Sequence, residues 1–286
     1  MGMSLEELAD QGQLLYSWES ELVKQQLYDV IKEASIAARV GRQLVDVVNL
    51  KAGAALDFVL ADKDSITFRR VGESANIPID VESYTKHTVT PVKYGDVILV
   101  SAEIQEDANW DVMRRNLRQA GREAGVKEDE IIFSALGDST YGFPSETNHD
   151  YTSAGTEISI ADITGMMKLV EENDYFPNAL VLHPEQVNEL RQIDTFVEAD
   201  KVGSRITFEK GFVGRIFGMD VVTTSTVGAS TGYLLDTREA GVLVVRRPLT
   251  MKTYEIPERD SLGAALTFRA EARCLRPKAG CKLTVS

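Results

Sequence analysis

Two β-rich runs with little apolar content constrain the fold more than any other feature of the chain. They are Ser65–Val71 and Thr85–Val92, and the polar stretch Gly72–Ser83 lies between them. Two polar strands around a long connection predict a hairpin that projects from the body of the molecule. Because a two-stranded ribbon is only marginally stable alone in water, we expect this one to lie on a partner surface.

The composition is that of an ordinary globular protein. The chain has 286 residues, of which 43% are hydrophobic and 26% charged, enough to bury a large core in one or two domains. No apolar run approaches the ~18 residues that a membrane-spanning helix needs. Met1–Asp10 lacks the basic and apolar regions of a signal peptide. We therefore expect the protein to fold in the cytoplasm where it is made.

Charge is unevenly distributed along the chain. The net charge is -13, but residues 238–286 contain ten Lys or Arg against five Asp or Glu, a net of +5 that leaves -18 for the rest. Such asymmetry can steer identical subunits into head-to-tail contact. The alternative is that the basic residues lie on solvated strand faces. A nucleic-acid-binding protein is usually basic overall, and this chain is not.

Cysteine and histidine usage predicts no metal centre. Cys274 and Cys281 are the two cysteines, and a reducing compartment favours two buried thiols over a disulfide between them. The three histidines, His87, His149 and His183, are scattered and far from both cysteines in sequence, so we expect no zinc site and no cofactor.

Apolar periodicity divides the chain into helices and strands. Helical spacing runs through residues 4–40, Glu103–Leu136, Ser159–Asn173 and Pro184–Ile193. Strand-like runs are residues 43–60, Val97–Val100, Ala179–Leu182, Gly218–Thr224, Tyr233–Leu235 and Leu266–Cys274. Val97–Val100 is of the buried type, whereas Leu266–Cys274 alternates strictly and predicts one buried face and one wet face. The helix Glu103–Leu136 would be about 50 Å long at ~1.5 Å per residue.

The sequence offers one motif with catalytic chemistry, and its context argues against it. Gly228–Gly232 matches the G-x-S-x-G nucleophile elbow, with Ser230 as nucleophile. No histidine follows His183, although the hydrolase order requires one after the serine. Tyr233–Leu235 also predicts a strand where the elbow needs a helix. We therefore interpret the motif as a turn between strands, and we expect no catalytic residues.

The remaining candidates for chemistry are weaker still. Gly211, Gly214 and Gly218 lack phosphate-loop spacing, and His183-Pro184-Glu185 lacks the i, i+4 pairing of zinc-binding helices. The acid pairs Glu128-Asp129 and Asp107-Asp111 are predicted to lie on solvated helix surfaces.

The order of the elements resembles the major capsid proteins of tailed phages and related archaeal viruses. That resemblance implies an α+β protein with the Hong Kong 97-like phage capsid fold, which encapsulins share. It assigns residues 1–45 to an N-terminal arm, 62–95 to an extended loop and 156–240 to an axial α/β domain. It assigns 46–61 and 96–155, with the long spine helix, to a peripheral domain that 241–286 closes with further strands. The run from Gly211 to Val222 is similar to the glycine-rich turn and apolar strand of the axial domain.

By that resemblance the chain is a structural subunit and not an enzyme. Its copies would form hexamers and pentamers of an icosahedral viral shell around double-stranded DNA, with no membrane and no sequence-specific binding of the DNA. Scaffolding, portal and minor capsid proteins would be its other partners, and it would assemble in the host cytoplasm and reside in the virion. Charge and expected exposure select the inter-subunit contacts Trp18, Arg69, Arg70, Glu73, Lys86, Arg246 and Arg247.

Two departures from the family pattern carry expectations. Some relatives cross-link a lysine of the extended loop to an asparagine near the closing strands, but the last asparagine here is Asn188, so we predict a non-covalent shell. About 45 residues before the first strands leave no room for a large scaffolding segment. The alternatives are an encapsulin-like nanocompartment around a cargo enzyme, a serine hydrolase using Ser230, and a tail or sheath component.

Overall fold

The computed structural model describes residues 21–61, 68–73, 76–77, 79–81, 84–101, 103, 112–192 and 212–285. Four helices lie within these residues: α1 Glu21–Ala38, α2 Val112–Leu136, α3 Ile160–Glu171 and α4 Pro184–Gln192. The predictions for α3 and α4 are confirmed to within two residues at each end. Ser159 caps α3 with a capping box, in which its side chain and that of Asp162 each bond the other's backbone. The predicted helical segments at residues 4–20 and 104–111 lie outside the described residues.

Twelve strands lie within the described residues. They are β1 Asp46–Asn49, β2 Leu56–Ala61, β3 Tyr84–Val89, β4 Val92–Ser101, β5 Asp150–Thr152, β6 Ala179–Leu182, β7 Phe212–Ile216, β8 Met219–Thr223, β9 Thr231–Leu235, β10 Gly241–Ile256, β11 Ser261–Cys274 and β12 Gly280–Thr284. One sheet has the order β1-β10-β11-β4, a second has the order β5-β12-β9-β6-β8-β7, and β2 pairs with β3 as a separate ribbon.

The chain divides into two compact units. Unit 1 comprises Met1–Val40, Lys93–Glu130 and Arg247–Ala270, and unit 2 comprises Gly41–Val92, Ile131–Arg246 and Glu271–Ser286. The boundaries cut through long elements, because β4, β10, β11 and α2 each contribute residues to both units.

In unit 1, α1 packs on α2 at two glycines one helical turn apart. A Cβ atom on Gly121 would lie 2.6 Å from the carbonyl oxygen of Ile31, and one on Gly125 would lie 2.7 Å from that of Ser35. Only glycine lets the two backbones approach this closely. Ile31 and Leu117 are fully buried.

Glu128 and Asp129 are buried in unit 1, so the prediction that they lie on a solvated helix surface is wrong. The residues after α1 satisfy both carboxylates. The Arg39 guanidinium lies 3.4 Å from Glu128, and the Val40 N–H donates to Asp129 at 2.9 Å. Spacing along α2 could not reveal these partners, which lie about 90 residues away in sequence.

The six-stranded sheet forms the centre of unit 2. All four residues of β6 are buried, as a continuous apolar run predicts. β12 pairs antiparallel with β9 and parallel with β5. The last strand therefore belongs to this sheet and not to the sheet of β10 and β11. Residues 280–284 thus lie in a different sheet from β10 and β11, although the sequence predicts a single group of closing strands.

The predicted alternation of buried and exposed residues in β11 is confirmed. Leu266, Phe268, Ala270, Ala272 and Cys274 are all buried, and the residues between them are partly exposed. The buried-type prediction for Val97–Val100 is wrong for one face. Val100 is buried and Ile98 lines an open cavity of unit 1, but Val97 and Leu99 are each 45% exposed.

Candidate assembly interface

A two-stranded ribbon is present, but its first strand is not the predicted polar one. β2 (Leu56–Ala61) pairs antiparallel with β3, from Leu56 opposite Val89 to Ala61 opposite Tyr84. Ser65–Thr67 lie outside the described residues, and Phe68–Val71 form no strand. The apolar residues of β2 explain the difference, because one face of the ribbon must pack on the body.

The inner face of the ribbon is anchored in unit 2. Val89 is buried in an apolar cluster with Val242 and Val244, against which Leu56 and Phe58 also pack. Burial of these side chains fixes the register, since a slip of one residue would turn them to solvent.

The outer face of the ribbon carries an ion pair across the strands. Lys86 Nζ lies 2.8 Å from Asp57 Oδ2, and the Thr88 hydroxyl donates to Asp57 Oδ1 at 2.7 Å. These two hydrogen bonds hold the pKa of Asp57 below its usual value. The predicted contact residue Lys86 therefore forms an ion pair within its own ribbon, but its side chain is exposed.

Beyond the ribbon, the described residues of 68–81, which we call the extended segment after the sequence prediction, include apolar side chains exposed to solvent. Ile77, Ile79 and Val81 are between 78% and 89% exposed, and Phe68 is fully exposed. Isolated exposed apolar residues are common. Ile77, Ile79 and Val81 alternate in sequence, and such residues share one face if the chain pairs as a strand.

Three of the predicted contact residues lie in this segment. Arg69 and Asp80 form an exposed ion pair at 3.3 Å, which ties the two sides of the segment together. Arg70 and Glu73 are exposed. Trp18 lies outside the described residues.

Arg246 and Arg247 bond within their own units. Arg246 donates to the carbonyl oxygen of Leu50 at 2.9 Å and to that of Lys51, and so holds the chain that follows β1. Arg247 donates to the Thr267 hydroxyl at 3.2 Å. The structure thus brings Arg69, Arg70, Glu73 and Lys86 into the ribbon and the segment beyond it, and places Arg246 and Arg247 elsewhere.

A cavity of about 700 Å³ lies in unit 2 beside the end of the ribbon formed by Leu60, Ala61 and Thr85. His87 and Tyr141 are among the residues that line it. Burial lowers the pKa of His87, and the positive charge of Arg273 lowers it further. Arg273 itself stacks 3.7 Å above the Tyr141 ring. Protonation of His87 is thus disfavoured while the ribbon is seated.

Ser230 and His183, the candidates for catalysis and metal binding, lie in a turn and at a helix start. Ser230 is exposed in a turn closed by the Thr231 N–H, which donates to Gly228 O at 2.9 Å, and β9 follows as a strand. His183 Nδ1 accepts from the Glu185 N–H at 3.3 Å at the start of α4. Among the described residues, no cluster of His, Cys, Asp and Glu could hold a metal ion.

Both cysteines are free and buried, as predicted. Burial raises the pKa of each thiol to about 12. In the part of the chain that the structure describes, no helix is long and apolar enough to cross a membrane.

Sequence reasoning overlooked two features of this surface. One is Asp57, the partner of Lys86, which became visible only with the β2–β3 register. The other is the apolar row Ile77, Ile79 and Val81, which lies in a stretch interpreted as polar. Its period of two was the available signal.

Comparison with known families decides the class of the protein. The family model described as phage capsid protein matches residues 84–283. The chain belongs to this family. The match takes in β3, the helix α2, the long strands β10 and β11, and the six-stranded sheet up to residue 283. This phage capsid protein is thus a structural protein, and it has the α+β Hong Kong 97-like fold.

Solved structures agree on the fold of the capsid protein. The mature capsid of bacteriophage PhiM1 is similar with a TM-score of 0.64 and 12% identity over 86% of each chain. Microbacterium phage Oxtober96 is similar with a TM-score of 0.64 and 16% identity over 87% of this chain and 91% of that one. The holo-SrpI encapsulin complex from Synechococcus elongatus PCC 7942 is similar with a TM-score of 0.61 and 12% identity over 84% and 85%. A search of curated proteins finds no match.

Proposed function

We propose that this capsid protein is the major capsid subunit of a tailed virus. Its copies form hexamers and pentamers of an icosahedral shell that encloses double-stranded DNA. The observation that carries the proposal is the row of exposed apolar residues in the segment Phe68–Val81, which has no cover within the described residues.

The energetics of that segment favour a neighbouring copy as its cover. Full burial of an Ile or Val side chain contributes about 1.5–3 kcal/mol relative to exposure. Ordering one backbone residue costs about 1–2 kcal/mol, so an extended segment that stays in water loses more than it gains. Seated on another subunit, Ile77, Ile79 and Val81 recover that cost, and the contact repeats at every subunit of a shell.

The ribbon and segment supply the polar part of the same contact. Arg69, Arg70, Glu73 and Lys86 are exposed. In this proposal they form the charged rim of the contact. Trp18, Arg246 and Arg247 are further contacts between subunits in this proposal. The guanidinium groups of Arg246 and Arg247 would have to keep their internal bonds while touching a neighbour.

The division into arm, extended loop, peripheral domain and axial domain is part of the proposal. Residues 156–240 would face the axis of each hexamer or pentamer, and residues 62–95 would cross to the neighbour. Scaffolding, portal and minor capsid proteins complete the particle, which assembles in the host cytoplasm. The net charge of -13 suits a container, because a strongly basic wall would bind the packaged nucleic acid.

An encapsulin-like nanocompartment is the second candidate. The likeness to the holo-SrpI encapsulin complex favours it, since that structure and the phage capsids match the chain almost equally well. A compartment would enclose a cargo enzyme instead of DNA.

Electron microscopy of the full-length protein, purified alone, tests the proposal. We expect closed shells of uniform diameter. Shells from the native source that hold nuclease-protected double-stranded DNA support the virus, and shells that hold a cargo enzyme support the compartment. A chain that stays monomeric at every concentration, with or without its genomic neighbours co-expressed, would overturn both.

A further inference from the structure

The inner face of the ribbon carries a histidine among apolar residues. Residues directly opposite each other on paired strands lie on the same face of the ribbon. The inner face consists of three such pairs: Leu56 with Val89, Phe58 with His87, and Leu60 with Thr85. The ionisable side chains of Asp57, Tyr84 and Lys86 alternate onto the outer face. Within the described strands β2 and β3, His87 is therefore the titratable group that the inner face presents to the body of unit 2.

The contact between the ribbon and the body ends at His87. Along the inner face of β3, Val89 is 2% exposed, His87 is partly buried and Thr85 is exposed. We call the packing of this face on the apolar cluster around Val242 and Val244 the ribbon seat. Beyond the seat, His87 and Thr85 line the cavity of about 700 Å³. The ribbon is thus packed at one end and borders an open space at the other, and His87 lies between the two.

A fixed positive charge acts on His87 from β11. The guanidinium group of Arg273 stacks 3.7 Å above the centroid of the Tyr141 ring, and this cation–π contact favours its position. Burial is the larger cause of the lowered pKa of His87, and the charge of Arg273 is the second. A protonated imidazole at this place loses hydration and meets a like charge, whereas a neutral imidazole avoids both costs.

The other charged groups around the cavity act in both directions. The loops that follow α2 and α3 contribute the carboxylates of Glu146, Glu172 and Asp174, which favour the protonated form of His87. The turn after β11 contributes Arg276 and Lys278, which oppose it.

Two further interactions modify these charges. Arg276 is ion-paired with Glu239 at 3.0 Å, and the charge of Arg273 also acts on the carboxylates of Asp138 and Glu271. Tyr141 and Tyr175 add two phenol groups to the lining. The net effect of all these groups is a pKa of His87 below its ordinary value.

We propose that His87 is a pH-sensitive switch for the position of the ribbon: with a neutral imidazole the ribbon packs on unit 2, and protonation loosens the ribbon seat. The switch is a property of the single chain. Its consequence for assembly rests on the proposed function, because the ribbon and the extended segment carry contact residues of the shell.

The direction of the pH dependence follows from linkage. When the ribbon leaves its seat, His87 regains water and its pKa returns toward the ordinary value of 6.5. The loosened state therefore binds the proton more tightly than the seated state. The contribution of His87 to the ribbon seat is complete above pH 6.5 and declines as the pH falls from 6.5 through the lower pKa of the seated state.

Thiol labelling of the dissociated full-length subunit measures the ribbon seat. Val89→Cys places a thiol inside the seat, and Val59→Cys places one on the outer face of the same ribbon, where Val59 is 61% exposed. The ratio of the two labelling rates cancels the pH dependence of the thiol chemistry. The native cysteines are buried and react slowly. We expect the ratio of the Val89→Cys rate to the Val59→Cys rate to rise at least about twofold between about pH 8 and about pH 5.

A substitution that cannot be protonated assigns this response to His87. In His87→Gln, combined with each cysteine variant, the ratio should be the same at both pH values. His183→Gln is the matched control, because it removes a histidine at the start of α4 and should keep the full response.

An NMR titration of the His87 ring gives a second measurement, which does not depend on the folding of His87→Gln. In Arg273→Gln we expect the pKa of His87 to rise toward 6.5, because one of the two causes that lower it is removed. Arg276→Gln removes another cation that lines the same cavity and should change the pKa of His87 less.

Three results would each overturn the switch. They are a labelling ratio that does not change with pH, a response that persists in His87→Gln, and a pKa of His87 that does not rise in Arg273→Gln. All three are measured on the dissociated subunit, so they hold whether or not the chain forms shells. A failure to assemble overturns the proposed function and leaves the switch in place.

Discussion

At the scale of single residues, Asp57 and Lys86 link ion pairing to pH. Their hydrogen bond is the main cause of the lowered pKa of Asp57. A carboxylate whose pKa is depressed on folding contributes stability above its unfolded pKa, near 3.8, and loses it as the pH falls through the lower folded value. The pair is exposed, so it matters for the geometry of the ribbon more than for the stability of the whole chain.

Removing the Lys86 side-chain amine should raise the pKa of Asp57. In Lys86→Met we expect the pKa of Asp57 to rise toward its ordinary value, because the cation and its hydrogen bond are gone while Thr88 remains. Carbon-detected NMR titration of the dissociated subunit measures it. Lys127→Met removes a comparable exposed lysine, paired with Glu130 on α2, and should leave Asp57 unchanged. An unaltered pKa of Asp57 in Lys86→Met would contradict the assignment.

At the scale of elements, the crossing of α1 and α2 depends on the absence of side chains. Gly121 and Gly125 bring the backbone of α2 against carbonyl groups of α1. In an isolated helix, glycine costs about 1 kcal/mol relative to alanine, so helix propensity opposes both residues. Close backbone packing is what compensates for this cost.

A single methyl group at this crossing should therefore be destabilising. Gly121→Ala places a carbon 2.6 Å from the Ile31 carbonyl oxygen, which is backbone and cannot rotate away. We expect the free energy of unfolding to fall by about 1–3 kcal/mol, as in overpacked cores, less the gain in propensity. Urea denaturation measures it. Arg122→Ala, at the next and exposed position, should change it by less than about 0.5 kcal/mol. Equal stability of Gly121→Ala and the wild type would show that the helices can separate freely.

At the scale of the whole molecule, the capsid protein keeps apolar and charged surface available for its copies. Ile77, Ile79 and Val81 are exposed in a single chain, and the charge of residues 238–286 is opposite in sign to that of the rest. Many modest contacts of this kind add up across a shell without any one of them being strong.

A shell held in this way should come apart completely on denaturation. The last asparagine, Asn188, lies in α4, remote in sequence from β10, β11 and β12, so a link from Lys86 to the closing strands has no asparagine acceptor there. We expect assembled particles, boiled in detergent, to migrate as one band at 31.6 kDa. Ladders of higher bands that survive reducing agent would contradict a non-covalent shell.

The sequence alone determined the elements whose signals are local. Period-two alternation placed β11 and its buried face, helical spacing placed α3, and a short apolar run placed β6. The β-rich run Thr85–Val92 indicated β3, because β propensity depends only on which residues are neighbours in sequence.

Tertiary structure decided everything that depends on a distant partner. Leu56–Ala61 displaced Ser65–Val71 as the first strand of the ribbon because its apolar residues reach the cluster around Val242. Glu128 and Asp129 are buried because Arg39 and Val40 satisfy them, and β12 joins β9 because the two strands pair residue by residue. Periodicity records which side of an element is apolar, but the free energy that selects its partner comes from contacts between residues far apart in the chain.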